Sequence, residues 1–465
     1  MNAKECIFGI SKGMETGGFM RSLFVLLVTT CLTQNVFASN KMIVRLDGGV
    51  ETVRLQQIAQ GGKVEALIPE LGIYSIETTS SRSALRSEIT FLRKQRGVVY
   101  VQEDHPVSKR VSAAQIPNDK SFSQQWDMKL DASTWGIDAV NAWGGFGIGG
   151  LDPAGNDVVV AVVDGGVDLV HEDLAANIWV NQNEIPGNGK DDDKNGYIDD
   201  INGWNAYNNS GDVAEDEHGT HVSGTVGAIG NNSIGVAGIN WGAKVMAING
   251  ATSSTSTVLK AYGYVLKQKQ LWISSGGTQG ANVVSTNSSF GVDYGNCKSG
   301  SYPAWNDIYN EMGKAGILHA IATANLNIDV DAKGDVPTGC DSPYIIAVTN
   351  TQKDGKRNSS AGFGLTMIDL GAPGTGIYST VPGDSYATMT GTSMASPHVA
   401  GAVAYMHSAA STGFSSFYMQ NPSAAALALK EVMLKTVTPA DSMKNMTVSG
   451  GILNLNKAAQ AMSSY

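Results

Sequence analysis

The chain has 465 residues, of which 42% are hydrophobic and 55 are glycines, so it can bury a large core and form many tight turns. Its formal net charge is −10, only 16% of its residues are charged, and no basic patch or aromatic–basic run stands out. This composition argues against DNA or RNA as a partner and favours a globular protein of more than one domain.

The first 38 residues have the pattern of an export signal. Basic residues precede a short apolar stretch, 23–32, and Val36, Phe37 and Ala38 form a suitable cleavage site. The stretch is too short to span a bilayer comfortably. A permanent N-terminal membrane anchor is the alternative, but the Thr and Gln residues that follow do not continue a span. We therefore expect an exported mature protein, secreted or periplasmic, with no stable membrane span.

Residues 39–110 have the pattern of a small α+β domain. Residues 42–46, 71–77 and 98–104 alternate between apolar and polar side chains as strands do, and residues 83–95 have helical spacing. We therefore expect a separate folded unit before the main part of the chain.

A predicted buried strand ends in a carboxylate at Asp164. Residues 158–163 are apolar and mostly β-branched, which predicts a strand covered on both faces. Functional sites in parallel α/β sheets form at the carboxyl ends of strands, so Asp164 is placed to orient an imidazole. Asp168 is the competing acid, but it does not end the strand.

An acidic loop at residues 191–200 has the spacing of a calcium-binding loop. Oxygen-bearing side chains stand at positions one, three, five and nine, a glycine at position six allows the sharp turn, and position seven can offer a carbonyl. The candidate ligands are Asp191, Asp193, Asn195, Tyr197 and Asp199. Position twelve is Asn202 and not a glutamate, so another segment would supply the last ligand. A solvated acidic turn without metal is the alternative.

Two further segments supply groups for nucleophilic catalysis. Residues 218–226 predict the start of a helix rich in small residues, which lets His218 lie close to neighbouring backbone. Residues 391–401 place the hydroxyl of Ser393 where a second small-residue helix begins. A serine hydroxyl is a poor nucleophile at neutral pH unless a base takes its proton and nearby donors stabilise the oxyanion. We therefore expect His218 and Asp164 to act on Ser393.

Residues 163–168, 218–224 and 391–401 resemble the three motifs of the subtilisin-like serine proteases, and the chain order Asp, His, Ser is the order of that family. Chymotrypsin-like enzymes use a different order, and the Gly-x-Ser-x-Gly turn of the α/β-hydrolases is absent around Ser393. The resemblance covers about nine-tenths of the chain, everything after the signal region. It implies an α/β fold over residues 111–465, with a doubly wound, mostly parallel sheet flanked by helices.

By this resemblance, Ser393 attacks the scissile carbonyl of a protein or peptide substrate, His218 acts as general base and then general acid, and Asp164 fixes the tautomer of the imidazole. Asn325 and the backbone N–H of Ser393 would form the oxyanion hole. Ala324 stands where the family usually has glycine, which adds a methyl group beside the cleft.

The resemblance also locates a primary specificity pocket. Ser289, Phe290 and Gly291 would form one wall, and Ala322 and Ala324 would form the other. Phe290 and Ala324 indicate an apolar, slightly restricted pocket. The alternative is that both segments are ordinary core strands.

For residues 39–110 the resemblance implies an inhibitory propeptide, which assists folding and then occupies the cleft. An ordinary accessory domain is the alternative, but the position directly before the catalytic region favours a propeptide. We expect self-cleavage between roughly residues 107 and 117, near Lys109 and Arg110 but not necessarily at them, because self-processing follows the enzyme's own preference. We also expect the mature enzyme to be a monomer.

A second calcium site is implied by residues 231–236, which resemble the family's high-affinity calcium loop. Asn232 and the carbonyls of Ile234 and Val236 would bind the ion together with Asp173. An Asn-rich turn without metal is the alternative. Calcium would act on stability and on protection from self-digestion, with no part in bond cleavage.

Cysteine usage is consistent with export. Cys6 and Cys31 leave with the signal, so Cys297 and Cys340 remain in an oxidising compartment. This favours one disulfide over two separate thiols. The rival for the whole chain is an exported calcium-binding protein that keeps the fold without activity, and the intact triad argues against it.

Overall fold

The computed structural model describes residues 41–47, 62–78, 82–104 and 114–465. The predicted signal peptide and the predicted processing residues Lys109 and Arg110 lie outside the described residues. The chain divides into two compact units, Met1–Arg110 and Val111–Tyr465. No helix in the described part of the chain combines the length and the apolar character needed to cross a membrane.

The first unit is a four-stranded antiparallel sheet with one helix. The strands are β1 (Lys41–Leu46), β2 (Lys63–Ile68), β3 (Ile73–Glu77) and β4 (Val98–Glu103), and the helix is α1 (Arg82–Leu92). The sheet order is β2-β3-β1-β4. Alternate residues of β1 and one face of α1 form its core, which includes Met42, Val44, Leu46, Leu85, Ile89 and Leu92. The predicted α+β character is confirmed, and β2 is a strand that the sequence pattern did not predict, since most of its side chains are exposed.

The second unit contains the remaining elements. Its strands are β5 (Leu130–Asp131), β6 (Thr134–Trp135), β7 (Val159–Asp164), β8 (Gly203–Asn205), β9 (Lys244–Asn249), β10 (Val283–Ser288), β11 (Val292–Asp293), β12 (Leu318–Ala322), β13 (Asp335–Val336), β14 (Ile345–Thr351), β15 (Leu370–Pro373), β16 (Ile377–Val381), β17 (Ser385–Met389), β18 (Thr438–Pro439) and β19 (Gly451–Ile452). Its helices are α2 (Ala139–Phe146), α3 (Glu217–Gly227), α4 (Thr255–Ser275), α5 (Pro303–Lys314), α6 (Val330–Lys333), α7 (Thr392–Ala409), α8 (Thr412–Gln420), α9 (Pro422–Lys435) and α10 (Leu455–Ser463).

A nine-stranded sheet forms the centre of the second unit, in the order β18-β19-β15-β14-β12-β10-β7-β9-β8. Neighbouring strands pair in parallel from β19 to β8, and only the β18–β19 pair is antiparallel. The predicted doubly wound, mostly parallel α/β fold is therefore confirmed.

Strand β7 shows why the sheet is covered on both faces. Val160 and Val162 belong to one hydrophobic cluster, which includes residues of α3 and α7, whereas Val159, Ala161 and Val163 belong to a second cluster with residues of α4 and α5. Side chains alternate across a strand, so an unbroken apolar run can fill both clusters.

The parallel pairing brings the functional segments to one edge of the sheet. β10 pairs with β7 on one side and with β12 on the other, so Asp164 at the end of β7 is near Ser289 and Asn325, which follow β10 and β12. Polar groups that terminate neighbouring parallel strands meet at this edge.

Candidate active site

Asp164 and His218 form the first part of the site. His218 Nδ1 lies 2.9 Å from Asp164 Oδ1 and 3.0 Å from Oδ2. The backbone N–H of Gly165 donates to Asp164 Oδ1 at 2.7 Å, which fixes the carboxylate. The Asp164 side chain is 5% exposed and that of His218 is 38% exposed. The buried carboxylate of Asp164 therefore holds the imidazole of His218, which remains partly accessible to solvent.

Helix α3 begins where His218 needs to be. Asp216 is its N-cap and accepts a hydrogen bond from the N–H of Gly219 at 2.9 Å, as short polar residues commonly do. A Cβ on Gly219 would lie 1.9 Å from the carbonyl oxygen of Gly166 and 3.1 Å from Cβ of Asp164. Only glycine lets the helix approach the end of β7 this closely.

Ser393 stands in the first turn of α7, which packs against α3. Its Oγ donates to the carbonyl of Ser289 over 3.3 Å. Pro397 has no N–H, so it cannot donate to the Ser393 carbonyl four residues earlier. Ser289 Oγ supplies that hydrogen bond instead, at 2.8 Å, and thereby ties the end of β10 to the helix.

Asn325 lies opposite, after β12. Its Oδ1 accepts hydrogen bonds from the N–H of Thr392 at 2.9 Å and from Thr392 Oγ1 at 3.1 Å. The N–H of Thr392 requires an acceptor, which assigns the amide oxygen to this side. Asn325 is exposed, and its Nδ2 therefore remains as a donor near the N-terminus of α7, where the first backbone N–H groups have no acceptor within the helix itself. Asn325 and Ser393 line the same small pocket.

The electrostatic surroundings favour a proton on His218. Burial lowers the pKa of this imidazole, but the hydrogen bond to Asp164 and the charges of Asp164 and Asp216 offset the effect, and the net pKa is raised above its ordinary value of 6.5. Negative charge next to an imidazole stabilises its protonated form. The site can therefore accept a proton on His218 and hold it.

The neighbouring polar residues of the motifs have other partners. Asp168 accepts hydrogen bonds from the N–H groups of Val170 and Gly383 and does not contact His218. His221 is buried against two backbone carbonyls, and burial lowers its pKa to about 4. His398 is buried against Asp127 at 3.0 Å.

The pocket beside Ser393 brings together the residues that were predicted to line a specificity pocket. Ser289, Phe290, Gly291, Ala322 and Ala324 are all part of its wall. Two acids that the motifs did not indicate, Asp293 and Asp335, line it as well. The pocket is therefore not purely apolar.

The predicted calcium loop contains a carboxylate cluster that only partly overlaps with the predicted ligands. Carboxylate oxygens of Glu184, Asp193 and Asp200 lie within 4.8 Å of one another. Asp191 instead accepts hydrogen bonds from backbone N–H groups of its own loop, and Asp199 does so from Asn188 and Gly189. Asn195 donates its side-chain amide to Asp193 and Asp200, and its Oδ1 accepts from the N–H of Tyr197.

The surroundings of Asp200 indicate whether a cation fits this carboxylate cluster. It is fully buried, and among the described residues its hydrogen-bond partners are neutral side chains. Burial raises its pKa to about 7, and the charge of Asp193 adds to the increase. A buried carboxylate next to a second carboxylate, with only neutral partners among the described residues, suits a cation, and oxygen ligands suit calcium.

The second predicted calcium loop is arranged around Asp173. This buried acid accepts hydrogen bonds from Asn232 Nδ2 at 2.7 Å and from the N–H of Val236 at 2.8 Å, while Asn232 Oδ1 accepts from the N–H of Ile234. Asp119, which sequence reasoning missed, lies close by. Its Oδ1 is buried without a partner, burial raises its pKa, and the charge of Asp173 raises it further. Two buried acids that repel each other also suit a cation.

Cys297 and Cys340 form a disulfide, with Cα atoms 4.9 Å apart. The bond ties the segment after β11 to the segment after β13.

Several of the residues around the site had little or no sequence signal. Asp216 could have been found, because a short polar residue two positions before a helical histidine is a capping signal. Thr392, Glu184, Asp200 and Asp119 act through contacts with distant segments, which one sequence does not reveal.

Comparison with known proteins agrees with this geometry. A family model described as the subtilase family matches residues 155–453. Subtilisin-like protease 1 of Plasmodium falciparum is 32% identical over 323 residues, which are 64% of this chain and 43% of that protein. The extracellular protease of Xanthomonas campestris is 33% identical over 371 residues, which are 75% of this chain and 58% of that protein.

A solved structure of a protease from Pseudoalteromonas arctica aligns with a TM-score of 0.55 and 25% identity, covering 75% of this chain and 99% of that chain. The chain spans about half the length of the curated relatives it matches. The matched family region contains Asp164, His218, Asn325 and Ser393. The chain therefore belongs to the subtilase family.

Proposed function

We propose that the protein is an exported serine endopeptidase that uses Asp164, His218 and Ser393 as its catalytic triad. The main observation behind this proposal is the hydrogen bond between the buried carboxylate of Asp164 and Nδ1 of His218, whose side chain is partly exposed to solvent. Ser393 and Asn325 line one pocket at the same edge of the sheet. This arrangement supports a base, a nucleophile and an oxyanion donor for acyl transfer.

In this mechanism Ser393 Oγ attacks the peptide carbonyl while His218 Nε2 takes its proton. Asp164 keeps the Nδ1–H form of the imidazole and stabilises the imidazolium that results. The N–H of Ser393 and Nδ2 of Asn325 donate to the developing oxyanion. His218 then protonates the leaving amine, and water hydrolyses the acyl-enzyme by the reverse sequence of proton transfers.

The direct test is to incubate the purified protein with an unstructured protein and to sequence the new N-termini by mass spectrometry. An endopeptidase produces internal N-termini, and these disappear when Ser393 is blocked by a fluorophosphonate. The rival, a silent calcium-binding homologue, predicts no cleavage.

We further propose that residues 39–110 are an inhibitory propeptide and that residues 111–465 are the catalytic domain. The separate core of the first unit supports a segment that folds on its own and can be removed. Export is supported by the signal-like residues 1–38 and by similarity to the extracellular protease of Xanthomonas campestris. We expect the mature protein to be a monomer outside the cytoplasm, in the periplasm or the medium.

Calcium is proposed as a structural ion. Glu184, Asp193 and Asp200 would hold it in the first loop, and Asp173 with Asp119 would hold it in the second. The ion would neutralise buried carboxylates and so stabilise the folded state.

Removal of calcium is expected to lower the melting temperature of the mature protein. Binding to the folded state alone adds about 4 kcal/mol when the ion is at about 1,000 times its Kd. The measurement is calorimetry with calcium and with EGTA. Asp193→Asn should reduce the calcium-dependent increment, whereas Asp192→Asn, the adjacent acid outside the carboxylate cluster, should leave it unchanged. An equal increment in all three proteins would contradict this site.

Replacement of Asn325 by leucine is expected to lower kcat with little change in KM. The loss of one oxyanion donor costs about 100- to 1,000-fold in subtilisin, and we expect a fall of the same order here. Steady-state kinetics on a peptide substrate provide the measurement. A change confined to KM would mean that Asn325 only helps to bind substrate.

The activity is expected to rise with pH as His218 loses its proton, because only the neutral imidazole can act as a base. Asp216→Asn removes a negative charge that raises the pKa of His218 and keeps a side chain that can cap α3. The acid limb of kcat/KM should therefore move to lower pH by a fraction of a unit. A limb that stays in place or moves upward would refute this assignment of charge.

A further inference from the structure

The pocket beside Ser393 contains two carboxylates for which peptide hydrolysis has no need. Its volume is about 80 Å³, and its lining includes Asp293 and Asp335 together with Ser393 and Asn325. None of the described residues that line it is basic. The two acids therefore share a pocket that supplies no cation of its own.

The strands hold these acids in a fixed arrangement. β11 and β13 pair in antiparallel register, which places Asp293 directly opposite Asp335. The disulfide between Cys297 and Cys340 joins the segments that follow the two strands. Functional groups on paired strands keep their positions better than groups on free loops.

Asp335 is the inner of the two acids. It is 2% exposed, and its Oδ2 accepts hydrogen bonds from Thr323 Oγ1 at 2.9 Å, the N–H of Ala324 at 2.9 Å and Thr338 Oγ1 at 2.6 Å. Its Oδ1 accepts no hydrogen bond from the described residues. It is also not one of the fully buried side-chain atoms that lack a partner, so it retains some solvent exposure. One oxygen thus anchors the side chain while the other stays open to the pocket.

The charge of the pocket is unbalanced. Burial raises the pKa of Asp335 despite its three donors, and the charge of Asp293 raises it further. Asp293 is exposed and so stands at the outer end. A cation placed between the two acids would relieve this repulsion.

We propose that the pocket receives the side chain of a lysine or arginine residue immediately before the scissile bond. The inference rests on the proposed endopeptidase function and names its substrate class. Phe290 and Ala324 would pack against the aliphatic stem, as apolar surfaces do with long basic side chains. An acid at the inner end of a specificity pocket selects a basic residue.

The sequence itself contains a substrate of this class. Lys109 and Arg110 end the first unit, and the second unit begins at Val111. An enzyme with this preference would cleave its own precursor after a basic residue there. N-terminal sequencing of the mature protein should find a start that follows Lys or Arg, and a start that follows an apolar residue would count against the proposal.

The decisive experiment compares peptides that differ only in the residue before the scissile bond: Lys, Arg, Leu, Phe or Glu. Active enzyme is first counted by fluorophosphonate titration, and kcat/KM is then measured for the native protein and for Asp335→Asn, Asp293→Asn and Asp341→Asn. Asp341 is an exposed acid in the segment after β13 that does not line the pocket, so it serves as the matched control.

The proposal predicts that the native enzyme prefers Lys and Arg. Asp335→Asn should lower kcat/KM for these peptides by about 30-fold or more, because it removes a buried charge partner. Asp293→Asn, at an exposed position where folding is not at risk, should lower it by about 3-fold. Both changes should lower the ratio of kcat/KM for Lys to that for Leu, and Asp341→Asn should leave this ratio unchanged.

A preference for Leu or Phe, or a basic preference that survives both pocket substitutions, would overturn the proposal while leaving the endopeptidase intact. If the protein neither reacts with the fluorophosphonate nor cleaves any peptide, the proposed function fails and this inference fails with it.

Discussion

Replacement of Ser393 by alanine is expected to abolish peptide hydrolysis and to leave the precursor uncleaved. Loss of the nucleophile lowers kcat about 10⁶-fold in subtilisin, and we propose the same role for Ser393 at the start of α7. The Ser393 side chain is half-buried, and alanine removes only its hydroxyl oxygen, so we expect the variant to fold. The measurements are kcat on a peptide substrate and the size of the accumulated protein on a denaturing gel.

Ser396→Ala is the matched control for this change. Ser396 lies one turn further along α7, and its buried Oγ has no hydrogen-bond partner among the described residues, so its removal should preserve both activity and maturation. Normal maturation of the Ser393 variant in isolation would contradict self-processing. Processing only after addition of native enzyme would support it.

Replacement of Asp164 by asparagine is expected to lower kcat by about 10⁴-fold without unfolding the protein. The amide group has the same shape as the carboxylate, but its NH₂ group disfavours the Nδ1–H tautomer of His218, and it no longer stabilises the imidazolium. The pKa of His218 should fall as well, because Asp164 supplies a hydrogen bond and a charge that raise it, and only the charge of Asp216 remains in the variant. Kinetics and a pH titration of the imidazole by NMR measure the two effects.

Asp168→Asn distinguishes the two acids of this motif. Asp168 contacts backbone N–H groups and not His218, so its variant should retain kcat within a few-fold. If the Asp168 variant were the inactive one and the Asp164 variant active, the assignment of the triad acid would be reversed.

Sequence reasoning could find the residues whose role is indicated by their immediate neighbours in the chain. Asp164 ends an apolar β-branched strand, and His218 and Ser393 begin helices of small residues, so each position depends on its immediate neighbours. The parallel sheet followed from the strand patterns and the family resemblance. β2 was not predicted, and most of its side chains are exposed, so it has no buried face of the kind that marks the other strands.

Groups that depend on distant pairing could not be found in this way. Asp335 enters the pocket because β13 pairs with β11, and neither two-residue strand has a pattern of its own. Phe290 and Ala324 by themselves indicated an apolar pocket. The two acids that also line it, Asp293 and Asp335, come from segments without a recognisable motif. Glu184 and Asp200 likewise meet Asp193 only through the folded loop.

The central claim is that Ser393 is an activated nucleophile beside His218, and the most direct measurement is covalent labelling by a fluorophosphonate followed by mass spectrometry of the peptides. The account predicts one adduct on Ser393, formed faster as His218 loses its proton and strongly slowed in the Asp164→Asn variant. A folded, mature protein that takes up no label at Ser393, or takes it up equally with and without Asp164, would contradict it.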